Sequence, residues 1–447
     1  MAHPQEDIGA TNPSTKRVIG PLVWTSECHS ILVNGLKVAI KGINWFGFET
    51  TDGCVHGLWD GLSKSLSDYL DLLHTHGFNA LRLPFSVKLA LALDSTYPNS
   101  SFVAADSSLA GLSCGQIMDL LIVECGKRGI LVMLDQHRLD PERGISDLWY
   151  DEGYEEPVIL KSWDVMVGRY KKYWNVFALD LKNEPHGSCT WGSGEALTDW
   201  KAASERVMKF IAHAHPDFLG LFFVSGIWGG GGHWWGGNFR GVRMKPVDLG
   251  EEGMNRRVVY TPHVYGPDVY PQAYFSSWSF PNNLPAIWEA HWGFLRGMEG
   301  RGGGEGGRAV VVSEWGGFCK GKDAKWQEKV ARYLWERGMA DNFYWCLNPN
   351  SGDTGGILLD DWTTLHIEKL RILHTLQPAP TLLRELDVLP SSLPEKENKK
   401  GEKGREEEKE GKVVRLYEYQ LGVETAALSS TVAAVSAKKV KRCFGLF

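Results

Sequence analysis

Two short segments of the chain end apolar, strand-like runs on a glutamate. Leu179–Gly187 reads LDLKNEPHG and carries Glu184, and Ala309–Gly317 reads AVVVSEWGG and carries Glu314. A run aimed wholly at a core has no use for an acid at its tip, because a buried carboxylate without a partner is costly. On the rim of a cleft the same two acids suit one kind of chemistry, the cleavage of an acetal. One carboxyl protonates the departing oxygen, and the other attacks the carbon or activates a water. Two exposed acids at loop starts would be the plain alternative. Both acids, however, follow apolar runs and have polar neighbours able to tune them.

Those neighbours also close strand-like runs. Arg82 stands in ALRLPFS, His137 in ILVMLDQH, Asn183 beside Glu184, His263 and Tyr265 in VVYTPHVYG, and Trp345 in NFYWCLNPN. A strand-end Arg or His taken singly is more often a satisfied structural group. Polar groups at six of eight successive strand tips are harder to assign to chance. A fixed cation such as Arg82 is expected to lower the pKa of a nucleophilic carboxylate beside it. The negative charge so held would raise the pKa of the second carboxyl, which must start protonated. An amide at Asn183 suits a sugar hydroxyl, and Trp345 suits stacking beneath a sugar ring.

These tips need a scaffold that brings them to one face. Strand-like runs are expected at Val38–Phe46, Ala80–Ser86, Ile130–His137, Val176–Glu184, Leu219–Ser225, Val258–Tyr265, Ala309–Trp315 and Phe343–Leu347. Helical runs lie between most of them, at Leu66–His76, Ile117–Arg128, Val165–Trp174, Leu197–His213, Ile287–Met298, Trp326–Arg337 and Leu365–Leu376. Gly226–Arg257 reads mostly as loop. Eight strands alternating with helices predict an α/β fold, a (β/α)8 TIM barrel with its chemistry at the carboxyl ends of the strands. A doubly wound open sheet is the alternative, but the first strand lacks a glycine-rich phosphate turn. Asn34-Gly35 between two apolar runs predicts an N-terminal β-hairpin that caps one end.

The expected organisation is a flexible N-terminus over residues 1–17, a barrel over 18–380 and a low-complexity charged linker and tail over 381–447. The run PEKENKKGEKGREEEKEGK is the basis for reading that tail as disordered. A net charge of −6 over 447 residues offers no positive field for nucleic acid or anionic lipid. No apolar run is long enough to span a membrane, and no secretory signal is visible at the start. The eight cysteines contain no CxxC and define no disulfide framework. His74/His76 and His213/His215 are spaced i, i+2, which does not share a helical face, so no metal site is expected from them. The glycine-rich segments GIWGGGGHWWGG and EGRGGGEGGR lie between elements and lack the Gly-Lys-Ser/Thr of a phosphate loop.

From about Val38 to Leu376 the chain resembles glycoside hydrolase family 5, and within it a bacterial-type endo-β-1,4-glucanase. The blocks that carry the likeness are GINWFGFET, VHGLW, LRLPFS, NEPH, WWGGNFRGV, VYPQAYFSSWSFPNN and NPNSGDTGGILLDDW. The resemblance implies Glu184 as acid/base and Glu314 as nucleophile of a retaining double displacement. It implies that Arg82 holds the nucleophile and that His137, Asn183 and His263 bind substrate or orient the acids. It implies that Tyr265 contacts the nucleophile and the ring oxygen and that Trp345 forms the sugar platform. Trp45, Trp235 and Gln272 are expected along the cleft. The implied substrate is a β-glucan polysaccharide or oligosaccharide, with no cofactor and no metal, acted on by an extracellular monomer. A β-mannanase, a β-1,3-glucanase, a glycolipid-cleaving relative and a non-catalytic carbohydrate-binding descendant are the alternatives. The nucleophile segment departs from the usual Gly-Glu-Phe-Gly, with Ser313 and Trp315 flanking Glu314, for which altered packing is expected. The loop cysteines of secreted relatives are not matched around HRLDPERG and TWGSG.

Overall fold

A computed structural model of the chain describes residues 15–229, 233–298, 307–386 and 415–422. The strands in chain order are β1 (Thr15–Ile19), β2 (Trp24–Glu27), β3 (Ser30–Val33), β4 (Leu36–Val38), β5 (Lys41–Asn44), β6 (Ala80–Ser86), β7 (Leu131–Arg138), β8 (Val176–Asp180), β9 (Leu221–Val224), β10 (Val258–Tyr260), β11 (Asn342–Tyr344), β12 (Leu382–Glu385) and β13 (Leu416–Gln420). Seven of them form one parallel sheet in the order β10-β9-β8-β7-β6-β5-β11. The expected strand Ala309–Trp315 appears only as isolated parallel bridges, Tyr260 to Val310, Val312 to Asn342 and His263 to Glu314. Those bridges fill the space between β10 and β11 and complete the ring of eight, so the barrel is built as the alternation predicted.

Alternation of side chains explains the two cores. Leu81 and Leu83 of β6 and Val132 and Leu134 of β7 face outward onto a helical layer that includes Trp163, Ile117 and Leu70. Met133, Phe177, Phe223, Val259, Val311 and Phe343 fill the lower interior of the barrel. Phe343 needs Gly42 opposite it, since a Cβ there would lie 2.2 Å from the phenyl ring. Helix starts follow local chemistry: Ser65 with Asp68 and Ser113 with Gln116 form capping boxes for the helices Leu66–Thr75 and Cys114–Lys127.

The floor of the barrel is closed by two small sheets. Strands β2, β3 and β4 form an antiparallel meander whose second turn is Asn34-Gly35, both in the left-handed region that a two-residue hairpin requires. The other sheet has the order β1-β13-β12. It corrects the sequence expectation at both ends of the chain. Thr15–Ile19 is a strand that begins inside residues 1–17, which were read as flexible, and Leu382–Glu385 and Leu416–Gln420 are strands within the charged tail. Their apolar positions Val18, Leu383, Tyr417 and Tyr419 are buried with the barrel floor, which explains the order. The charged run itself lies outside the described residues, as do 1–14 and 423–447.

No helix among the described residues is long and apolar enough to cross a membrane. Cys54, Cys114, Cys125, Cys189, Cys319 and Cys346 carry no disulfide. His74 and His213 occupy the last turns of their helices, where a cationic side chain complements the dipole.

Candidate active site

Arg82 is the hub of the site. It sits inside the barrel on β6 with no exposure to solvent. Its Nε donates to Asp180 Oδ2 at 3.0 Å, and one terminal nitrogen donates to Asn44 Oδ1 at 3.0 Å and Glu314 Oε1 at 2.5 Å. The other terminal nitrogen donates to Asn183 Oδ1 at 2.9 Å and lies 3.0 Å from Asp135 Oδ1. Strand register sets this up: Asn44 pairs with Arg82 across β5 and β6, and Asp135 with Asp180 across β7 and β8. Three acids around one guanidinium keep it charged despite its burial.

Glu314 is held from two sides. Arg82 binds one oxygen, and the Tyr265 hydroxyl donates to the other at 2.7 Å. The parallel bridge His263 to Glu314 sets these two residues side by side. His263 Nδ1 lies 3.1 Å from Glu184 Oε1 and 3.4 Å from Glu314 Oε2. Burial pushes the His263 imidazole down to about 4, so it is neutral near pH 7. Oxygens of Glu184 and Glu314 and a nitrogen of His263 all come within 4.8 Å of one another. That spacing would admit a cation, but the Glu314 oxygens already accept from Arg82 and Tyr265.

Glu184 has a different setting. Its backbone is left-handed at φ 50°, a strained conformation for a non-glycine residue of the kind that gathers at functional sites. Its carbonyl accepts from His186 Nδ1 at 2.7 Å, and Gly236 packs so close that a Cβ there would meet Glu184 Cα at 3.3 Å. Burial pushes the Glu184 carboxyl up to about 7, against the pull of Lys182 and Arg82. Burial likewise raises Glu314, with His263 and Arg82 opposing it. Two expectations about these acids need correction. Desolvation, not the partner's charge, is the main cause at Glu184. At Glu314 it outweighs the cation that was expected to lower the pKa. The contrast between the acids lies in their donors: Glu314 has Arg82 and Tyr265, while among the described residues Glu184 has only the shared imidazole.

The remaining expected residues fall into two groups. Asn183 and His137 join the hub, since Asn183 Oδ1 accepts from Arg82 and its Nδ2 lies 3.4 Å from His137 Nε2. His137 Nδ1 faces Asp135 Oδ2 at 2.6 Å, and its ring stacks on Trp345 at 5.5 Å between centroids. Phe46 stacks on Trp345 as well, at 5.6 Å and 8°. The Trp345 indole N–H donates to Ser351 Oγ at 3.1 Å, so the platform is fixed in position. Trp235 is 44 % exposed and lies flat on His186 at 3.7 Å, next to the Gly236 that touches Glu184. Gln272 is nearly buried at the head of the short turn Ala273–Ser276. Trp45 is the outlier. It is fully buried, with its N–H on His56 O at 2.9 Å and its edge against Tyr69, so it is a core residue and not a cleft wall.

The cellulase family model (glycosyl hydrolase family 5) matches residues 36–351, which includes both acids and the whole Arg82 network. The chain belongs to glycosyl hydrolase family 5. It is 41 % identical over 352 residues to the major extracellular endoglucanase of Xanthomonas campestris pv. campestris, covering 77 % of this chain and 68 % of that one. It is 41 % identical over 341 residues to an endoglucanase of Paenibacillus polymyxa, covering 74 % and 81 %. The solved catalytic domain of the Xanthomonas enzyme superposes with a TM-score of 0.72 at 39 % identity, covering 79 % of this chain and 99 % of that one. A cellotetraose complex of the endocellulase from Pyrococcus horikoshii gives 0.72 at 37 %, covering 80 % and 98 %. This family 5 glycoside hydrolase thus carries the barrel expected from its strand pattern.

Several residues of the family 5 site were not singled out from sequence. Asp135 and Asp180 are acids within the apolar runs LVMLDQH and FALDL, a signal that was available. Asn44, Lys182 and His186 stand beside recognised residues, and only the fold reveals what they touch; Ser313 was noted as a departure beside Glu314, but its contact with His263 was not.

Proposed function

We propose that the chain is a retaining, endo-acting hydrolase of β-1,4-glucan, with Glu314 as nucleophile and Glu184 as acid/base. The observation that carries this reading is the asymmetry of the acid pair. Glu314 accepts from Arg82 and Tyr265, donors that favour its anion, whereas Glu184 has neither and is pushed up to about 7. An oxygen-to-oxygen approach within 4.8 Å supports direct attack, because an inverting pair stands roughly 6.5–9.5 Å apart to admit a water.

In the first step Glu314 attacks the anomeric carbon as Glu184 gives its proton to the departing oxygen. In the second Glu184 takes a proton from water, which releases the sugar from Glu314. Trp345 stacks under the sugar at the point of cleavage, and Trp235 offers a second face beside Glu184. The cellotetraose bound by the Pyrococcus neighbour supports a β-1,4-glucan as substrate. The name of the Xanthomonas relative supports action outside the cell.

The test is Glu314→Gln assayed on carboxymethylcellulose beside calorimetry with cellotetraose. Lost release of reducing ends with retained binding is expected, and an active variant would remove the assignment. Parallel assays on mannan and β-1,3-glucan decide the polysaccharide, and proton NMR of the first-formed anomer decides retention.

A further inference from the structure

We propose that Ser313 is a positioning residue that fixes which ring nitrogen of His263 carries the hydrogen, and so on which oxygen Glu184 holds its proton. The inference rests on the acid/base reading of Glu184. His263 Nε2 lies 2.9 Å from Ser313 Oγ, and both residues are fully buried. Among the described residues that imidazole is the hydroxyl's only hydrogen-bond partner. A buried hydroxyl hydrogen left without an acceptor is costly, so the hydroxyl donates to Nε2. A neutral imidazole with its lone pair on Nε2 carries its hydrogen on Nδ1.

The Nδ1 hydrogen then points at the carboxyls and is donated to Glu184 Oε1 at 3.1 Å. With Oε1 accepting, the acid proton sits on Oε2, free for the departing oxygen. In the opposite tautomer the Nδ1 lone pair would accept the proton of Glu184 itself and hold it away from substrate. The charged and titratable groups around the ring are Glu184, Glu314, Arg82, Asp180 and Lys182. None of them faces Nε2 as a hydrogen-bond partner, which leaves Ser313 to decide the tautomer. The Ser313 backbone is anchored separately, its carbonyl accepting from Asn44 Nδ2 at 3.0 Å, so the hydroxyl can be removed without freeing the strand.

The experiment is two-bond nitrogen–proton correlation on 15N-histidine-labelled protein at neutral pH, with His263 assigned by its loss in His263→Gln. Wild type should show hydrogen on Nδ1 and a bare Nε2. Ser313→Ala should show a mixed or reversed tautomer and a kcat lower by roughly tenfold. Its activity should also persist to higher pH, since Nδ1–H no longer favours ionised Glu184. Ser313→Thr, which keeps the hydroxyl, should restore all three readouts. Hydrogen on Nε2 in wild type overturns the proposal, and this measurement does not depend on whether Ser313→Ala folds. So does a Ser313→Ala variant whose nitrogen signals and pH profile match wild type, whatever its kcat. An active Glu184→Gln would sink the acid/base reading while leaving the nitrogen assignment standing.

Discussion

Tyr265 and Arg82 grip opposite oxygens of Glu314, the phenol from 2.7 Å and the guanidinium from 2.5 Å. The phenol belongs to the segment after β10 and the guanidinium to β6, so the carboxylate is held by two separate parts of the barrel wall. Neither donor leaves Glu314 free to turn, and both favour its charged form. Tyr265→Phe keeps the ring and its packing on Trp234 and removes one grip. The expected outcome is a kcat lower by roughly tenfold to a hundredfold with little change in KM, measured on a soluble cellulose derivative.

Arg82 is a structural commitment as well as an electrostatic one. Arg82→Met leaves Asp135, Asp180 and Glu314 without their common cation in the barrel interior. Breaking a buried ion-pair network by removing one partner costs about 3–5 kcal/mol. Denaturant titration should show that loss of stability, and activity should vanish with it.

The pH dependence follows from Glu184. The first step needs its proton, so kcat/KM should fall as pH rises through about 7. Stability carries the same sign. Glu184 is raised above its unfolded value, so its folded state holds the extra proton between about 4.5 and about 7, and stability declines across that window. Above it the buried carboxylate costs the fold roughly 3 kcal/mol. Glu184→Gln should therefore melt at a higher temperature than wild type at pH 8 and at nearly the same temperature at pH 4. Calorimetry at the two pH values checks this, and equal shifts at both would count against the assignment.

Trp235 lies flat on His186, whose Nε2 is 3.0 Å from Asp147. The exposed face of the indole is available to a sugar. Trp235→Ala should weaken cellotetraose binding by roughly tenfold while sparing kcat on the bound substrate, because the residue touches neither acid's oxygens. Isothermal calorimetry and steady-state kinetics separate the two effects.

The strands outside the barrel make a fifth case. Tyr417 and Tyr419 are buried against the floor, with Tyr417 tilted on Trp174 at 5.6 Å. Tyr417→Ala should cost about 3 kcal/mol and leave kcat unchanged at low temperature. A truncation ending at Leu386, which removes β13 altogether, should lower Tm further.

Much of this could be read from residue order, and the exceptions have physical causes. The strand Ala80–Ser86 was predicted to the residue because its apolar residues flank a single interior charge, Arg82, and all seven positions are buried. Val258–Tyr265 and Ala309–Trp315 were predicted longer than they are. Beyond Tyr260 the two runs pair only through single bridges, among them His263 to Glu314, and side-chain pattern carries no record of where a ladder stops being regular. The acids were legible because each ends its run; their pKa causes were not, because desolvation depends on what packs overhead. Trp45 read as a cleft residue by its motif, and only the fold shows that its indole turns into the core. LYEYQ, separated from β12 by the 30 residues 386–415 and past a charged run, gave no hint of a strand partner.

The pairing of β1 with β13 has an engineering consequence. Both strands lie beneath the floor sealed by Tyr417, Val18 and Leu383, at the opposite pole from Trp345 and the two acids. A cargo protein spliced on through either strand would hang from the underside. The mouth that holds Trp345 and the two acids would stay uncovered, so two such barrels could be strung in tandem without shading each other.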